Sequence, residues 1–330
     1  MYKSGKRNTN HSGPLSKVIS EYVTHKRAAG RDYTDEEEHL YRFDAFAGKH
    51  GCPVDTLPKE IVLLWIEKRP HEKKLTQIKR INSVKRFAIF LNERGYTAYV
   101  YPYSGEMTPE PYLPYIFTEE QIGTIIRLAD QYKSTIASRN LNLIVPLVFR
   151  LLYGCGLRTS EVLNLRLQDL DTDNGVLRIT DSKYGKSRLV PMAPSITSRC
   201  AEYNRLTSAD LDGSTYMFRN HYGNRFSDQV IYHWFRELLA RARISHGGKG
   251  HGPRVHDIRH TFAVHRLKLW AKEGRAIQQL LPLLSAYMGH CDLRGTQVYI
   301  RLTPDVFPEI AKTMDGFWES RERGDSLELD

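Results

Sequence analysis

The sequence predicts a mainly α-helical protein with a small antiparallel β-sheet, divided into two domains. Three observations carry this reading. Apolar residues recur every three or four positions through 15–101, and again from 229 to about 318. A stretch holding three prolines and a glycine, YSGEMTPEPYLPY at 103–115, interrupts the helical pattern. Inside the second half, two short β-rich runs, GVLRITD and RLVPMA, flank a SKYGK turn, the pattern of a hairpin. The length of 330 residues suits two domains, and 41% hydrophobic with 11% aromatic residues is enough to build their cores.

Residues 1–14 are polar and basic and read as a flexible arm. The first domain, 15–102, is helical, and its clearest helix is EKKLTQIKRINSVKRFAIFLNERGY. There Leu75, Ile78, Ile81, Val84, Phe87 and Leu91 form the apolar stripe, and Gly95 is a good stop. Its other faces carry Lys73, Lys74, Lys79, Arg80, Lys85 and Arg86. A solvated helix face is the ordinary explanation of such charges. With almost no acidic partner between Glu72 and Glu93, the cluster reads instead as a face turned towards phosphates.

After the 103–114 linker, Thr118 is placed to cap a helix whose first turn holds Glu119 and Glu120. NLIVPLVFRLLYGCG follows as a buried helix ended by glycines, and then the hairpin. The second domain is expected to run from 115 to 318, with an acidic tail at 319–330.

Lys and Arg number 48 against 38 Asp and Glu, a net charge of +10. The surplus is shared evenly between 1–110 and 111–330, and the tail opposes it. A basic body points first to nucleic acid as partner. The longest apolar stretch, Leu143 to Phe149, is broken by Pro146 and is far shorter than the roughly 20 residues of a membrane helix. The first residues lack the apolar core of a secretory signal, so a cytoplasmic, nucleoid-associated protein without membrane contact is expected. The four cysteines, at 52, 155, 200 and 291, include no close pair, which suits reduced thiols better than disulfides or zinc. Phosphate-loop, dinucleotide and metalloprotease motifs are absent from the sequence, so no cofactor and no metal are expected.

What stands out is a series of basic residues, each beside a structural punctuation mark, with a tyrosine at its end. Arg158 lies in YGCGLRTSEVLNL, where glycines end one helix and Thr159 or Ser160 can cap the next. A helix N-terminus already favours an anion. Glu161 either holds the Arg158 guanidinium or is an ordinary first-turn carboxylate. Lys183 sits in the hairpin turn. HDIRH sets His256 and Arg259 three apart on one helical face, and His290 precedes Tyr299 by nine residues. Singly, each has a commonplace reading: a surface arginine, a solvated lysine, a packed histidine or tyrosine. Tyr184 and Tyr287 are nearby tyrosines without that spacing.

Together these pieces resemble the tyrosine recombinases, or phage integrase family. They are GLRTSE with Arg158, Lys183 followed by RLVP, HDIRHTFA with His256 and Arg259, GH with His290, and T-x-x-Y with Tyr299, over about 115–305. The resemblance implies a helical, SAM-like core-binding domain and a tyrosine-recombinase catalytic domain that together clamp double-stranded DNA in a C shape. It implies site-specific recombination through a 3′-phosphotyrosyl intermediate, for integration, excision or transposition of a mobile element. Tyr299 would be the nucleophile and His256 the acceptor of its proton. Arg158, Arg259 and His290 would hold the phosphate, and Lys183 would protonate the leaving 5′-oxygen.

A phenol with a free pKa near 10 needs such an acceptor, and two arginines suit a transition state that gathers negative charge. The resemblance further implies a homo-oligomer on DNA, a tetrameric synapse joined by the C-terminal helix with its stripe of Val306, Phe307, Ile310, Met314 and Phe317; docking of that helix on its own core is the alternative. The 31-residue interval from Arg259 to His290 is longer than in simpler members and is similar to integrase-like transposases. A type IB topoisomerase and a catalytically inactive DNA-binding homologue are the competing functions.

Overall fold

The computed structural model describes residues 13–30, 33–54, 56–102, 113–134, 139–182, 186–208, 210–248, 252–290, 296 and 299. The chain divides into two compact units, Met1–Leu113 and Pro114–Asp330. Both are helical, and the second carries a small antiparallel sheet, as the hydrophobic periodicity implies. Among the described residues, no helix is long and apolar enough to cross a membrane. The basic arm, the linker, the acidic tail and the C-terminal helix lie wholly or largely outside the described residues.

The first unit packs α1 (Ser16–Ala28), α2 (Thr34–Lys49), α3 (Lys59–Ile66) and α4 (Lys74–Glu93) around one core. A two-residue parallel pair that periodicity cannot reveal, β1 (Thr56–Leu57) with β2 (Thr97–Ala98), closes it. Ile81, Val84, Phe87 and Leu91 of α4 are buried, and the chain leaves the helix through Gly95 at φ +84°. Leu75 departs from the expected stripe: it lies in the first turn and is 46% exposed.

The larger departure is Arg80. Its side chain is buried and faces the core, so it is removed from the phosphate-facing set. Its Nε and one amino group pair with Glu72 at 2.9 and 2.8 Å, and its guanidinium also donates to the carbonyls of Trp65 and Glu67 and lies over the Trp65 ring. A charge taken out of water must be paired and hydrogen-bonded, and Glu72 meets that need. Lys73, Lys74, Lys79 and Arg86 are exposed, and Lys85 is half-buried.

The second unit is built on α6 (Leu141–Gly154), buried along most of its length, including Pro146. Around it lie α5 (Glu119–Asp130), α7 (Thr159–Asn164), α8 (Pro194–Thr207), α9 (Asp228–Arg241), α10 (Val255–Lys272) and α11 (Ile277–Met288). Thr118 caps α5 as expected: its hydroxyl accepts the Gln121 N–H, and the Gln121 side chain accepts the Thr118 N–H. The hairpin forms between β4 (Val176–Ser182) and β5 (Lys186–Pro191), with a short third strand, β3 (Leu170–Asp171), on its outer edge. The α10 helix is buried on several sides and takes polar groups inside with it. Thr261 satisfies the buried Phe117 N–H at 3.1 Å, tying the start of the unit to α10.

Candidate active site

The site forms where the end of α6, the start of α7, α10 and the end of α11 meet. After α6 the chain turns through Gly156 at φ +58°. A Cβ there would lie 2.4 Å from the Phe262 ring, so both the backbone conformation and the close approach demand glycine. The turn aims the Gly156 carbonyl at Arg259, whose guanidinium donates to it at 2.6 Å and to the Met288 carbonyl at 2.5 Å. Arg259 is buried. Burial, and then the charge of Arg158, draw its pKa down to about 10, which leaves it protonated at neutral pH.

Arg158 itself occupies the N-cap position of α7, which the sequence offered to Thr159 or Ser160. The Glu161 carboxylate accepts from the Arg158 backbone N–H at 2.9 Å and from its guanidinium at 2.6 Å, while a second amino group donates to the Gly289 carbonyl at 2.9 Å. Glu161 is therefore the holder of the guanidinium, the first of the two readings open in the sequence. Burial alone would raise the Glu161 pKa. Hydrogen bonds from Arg188 and the Arg158 N–H, with the charges of Arg188 and Arg259, outweigh it and bring the pKa to about 2.

Tyr299 is 1% exposed and lies among histidines. Its hydroxyl is 3.1 Å from His260 Nδ1 and also meets the Arg259 guanidinium, and the His290 ring stacks on its own ring at 6.1 Å. Burial raises the phenol pKa, while Arg259 and Arg158 pull the other way. His290 follows the turn that ends α11, where its N–H caps the Ser285 carbonyl, and its Nδ1 lies 2.7 Å from the Thr296 hydroxyl. Burial, Arg259 and Arg158 lower its pKa to about 4. His260 is lowered to about 3 by burial, His256 and Arg259. His256 stands exposed at the edge, its ring edge-on to His260 at 4.8 Å; desolvation and then Arg259 and Arg158 hold its pKa below the usual range. The lowered values favour the neutral form of all three imidazoles at pH 7.

The structure thus brings together Arg158, Glu161, His256, Arg259, His290 and Tyr299 from separate stretches of sequence. Lys183 lies outside the described residues. One pairing differs from expectation: the imidazole on the Tyr299 hydroxyl is that of His260, not His256. Their four-residue spacing puts both on one face of α10, and the pitch carries His260 one turn deeper, to the phenol. Sequence reasoning singled out neither His260 nor Arg188. The signal for both lay inside the quoted motifs, HDIRH and RLVP. Among the described residues, no group of three or more His, Cys, Asp or Glu is placed to hold a metal ion.

The sequence profile described as the phage integrase family matches residues 116–305, more than half of the chain. An integrase/recombinase of Sinorhizobium fredii, y4rB, is 30% identical over 92% of this chain and 98% of its own length. The chain belongs to the phage integrase family. Its activity is accordingly of the site-specific tyrosine-recombinase kind. A tyrosine recombinase XerC of Chromobacterium violaceum is 34% identical over 54% of either chain. Two solved structures share the fold. The Tn1549 transposon integrase in complex with a circular intermediate DNA superposes with a TM-score of 0.59 at 19% identity, covering 86% of this chain and 94% of that one. The XerH recombinase bound to its palindromic difH substrate superposes with a TM-score of 0.58 at 17% identity, covering 84% and 78%.

Proposed function

We propose that this family member binds double-stranded DNA and cuts and rejoins it through a 3′-phosphotyrosyl intermediate, moving a mobile element by integration, excision or transposition. The observation that carries the mechanism is the buried Tyr299, its hydroxyl 3.1 Å from His260 Nδ1 and its ring stacked on His290, in a site where the charges of Arg259 and Arg158 favour the phenolate. Full-length similarity to y4rB and a fold shared with a transposon integrase support the mobile-element reading. The net charge of +10 suits a polyanion.

In the proposed reaction, Arg158, Arg259 and His290 receive the scissile phosphate. Tyr299 turns from His260 towards phosphorus, and its oxygen forms the new P–O bond as the bond to the 5′-oxygen breaks. The family resemblance assigns the phenolic proton to His256, one helical turn from the His260 that meets the hydroxyl before DNA is bound, and Lys183 supplies a proton to the departing 5′-oxygen. The phosphoester bond is kept in the tyrosyl link, so rejoining needs no ATP. The 5′-hydroxyl of a partner strand attacks that link and returns the tyrosine. Charge gathering on the non-bridging oxygens is met by fixed guanidinium donors, each worth about 10²–10³ in rate. Four protomers form the synapse on DNA.

Covalent capture tests the reading. The protein is incubated with nicked suicide substrates drawn from DNA flanking its own gene, without metal or ATP, and adducts are resolved on a denaturing gel. An adduct on the 3′ side of the cut, absent in Tyr299→Phe, is expected. An adduct that persists in the variant refutes the nucleophile. Relaxation of a plasmid lacking any such site would point to a topoisomerase, and specific binding without any adduct would point to a DNA-binding protein.

A further inference from the structure

We infer that Arg188 is a positioning residue for DNA cleavage, holding Glu161 so that Arg158 and Arg259 stay presented to the scissile phosphate; the inference rests on the cleavage chemistry proposed above. Arg188 lies on β5. Its two amino groups pair with the two oxygens of Glu161 at 2.9 and 3.0 Å, and its Nε donates to the Tyr287 carbonyl at 2.8 Å.

Valence sets what Glu161 can hold. An ionised carboxylate offers about four lone-pair positions. At Glu161 two go to Arg188, one to the Arg158 guanidinium and one to the Arg158 N–H, so the carboxylate is saturated. Arg259, 3.8 Å away, feels the Glu161 charge without giving it a hydrogen bond. The free carbonyls at the end of α11 complete the frame. Tyr287, Met288 and Gly289, three successive residues, each accept from a different arginine: Arg188, Arg259 and Arg158. A helix C-terminus has unsatisfied carbonyls and favours cations, so it makes a natural rack for guanidinium groups.

Gly289 belongs to the same device. It sits at φ +68°, and a Cβ on it would lie 2.8 Å from an Arg188 amino group. With Arg188 removed, two positions on a buried carboxylate open, and the nearest guanidiniums, Arg158 and Arg259, turn to fill them. The donors that serve the phosphate are then misplaced although neither arginine has been touched.

The test has two readouts. In the first, Arg188→Gln is compared with the native chain in single-turnover cleavage of a suicide substrate. Cleavage falls about 10²-fold, the effect of an ångström-scale misplacement, while DNA binding by anisotropy stays within twofold. Arg188→Lys keeps the charge but lacks the fork, and falls about tenfold; it decides the matter if the glutamine variant fails to fold. A substrate whose leaving 5′-oxygen is replaced by sulfur needs no protonation. It restores Lys183→Ala but leaves Arg188→Gln slow.

In the second readout, the Glu161 carboxyl is titrated by ¹³C NMR in the full chain, assigned by Glu161→Gln. The charged and titratable groups facing it are Arg158, Arg188, Arg259 and His256. Its protonation moves at least one pH unit upward in Arg188→Gln, and an acid limb appears in that variant's cleavage profile. Unchanged titration, cleavage within twofold of native in both variants, or rescue of Arg188→Gln by the sulfur substrate would each overturn the inference. If the native chain forms no adduct at all, the cleavage reading fails, while the titration still decides whether Arg188 holds Glu161.

Discussion

Replacing Arg80 by methionine separates a buried structural charge from a DNA contact. The side chain is 4% exposed and its partner Glu72 is 7% exposed. Methionine keeps the length of the stem but leaves the Glu72 carboxylate without its two guanidinium bonds and frees the carbonyls of Trp65 and Glu67. Breaking a buried pair from one side costs about 3–5 kcal/mol, because the remaining charge is stranded. At an m-value of roughly 1–3 kcal/mol per molar urea, the unfolding midpoint of the first unit should fall by about 1–5 M. Urea titration followed by tryptophan fluorescence reads this directly, since Arg80 lies over the Trp65 ring. The double variant Arg80→Met with Glu72→Leu should recover most of the loss, because a matched apolar pair needs no desolvation.

The pH dependence has a definite sign. The hydrogen bond from Arg80 holds the Glu72 pKa below the usual carboxylate range, so its contribution is fully present above the unfolded value, about 4.3, and is lost as pH falls through the lowered folded value. Native and Arg80→Met chains should therefore converge in stability in acid. Salt dependence of DNA binding gives the contrast: Arg80→Met leaves the slope alone, whereas Lys79→Ala and Arg86→Ala each reduce it by about one. A fully stable Arg80→Met chain with a reduced salt slope would mean that Arg80 serves the DNA and not the fold.

The remaining expectations concern the site and the DNA. Gly156→Ala places a Cβ 2.4 Å from the Phe262 ring at a positive φ; it should cost at least the ~1–2 kcal/mol of a left-handed backbone and impair cleavage by moving the carbonyl that holds Arg259, checked by urea unfolding beside the adduct assay. His260 and His290 are neutral when folded and take up protons when unfolded, between pH 6.5 and about 4 for His290 and about 3 for His260, so stability is whole above pH 6.5 and declines as pH falls through that window. The slope is about 1–3 kcal/mol per pH unit, and His260→Gln should make it shallower by one proton. Binding that neutralises about 8–12 phosphates gives a log–log salt slope of roughly −7 to −11, and a slope shallower than about −3 in an anisotropy titration would exclude so large a phosphate footprint.

Much of this chain is legible without coordinates because its signals are local. The α4 helix shows its period from Ile81 to Leu91, the Thr118 cap shows its hydroxyl and its glutamine, and the hairpin shows its turn between two β-rich runs. The family motifs name Arg158, Arg259, His290 and Tyr299 because chemistry restricts which side chains can stand at each place. What periodicity misreads is partnership. Lys79 and Arg80 are neighbours in a basic run, yet one is exposed and the other is buried against Glu72, eight residues earlier. Charge counting treats them alike, since a helical face is decided by what packs against it.

Read without coordinates, the chain already declares its helical class with a hairpin and the residue types from which a phosphate-handling site can be made. Which groups touch is settled by folding. His260 rather than His256 meets the Tyr299 hydroxyl, and Arg188 saturates the carboxylate that holds Arg158. Three arginines far apart in the chain end on three successive carbonyls where α11 stops, the last on the glycine after it. The physical reason is range. Helical period and capping are set within four residues, whereas hydrogen-bond pairing acts over about 3 Å between segments that only folding brings together.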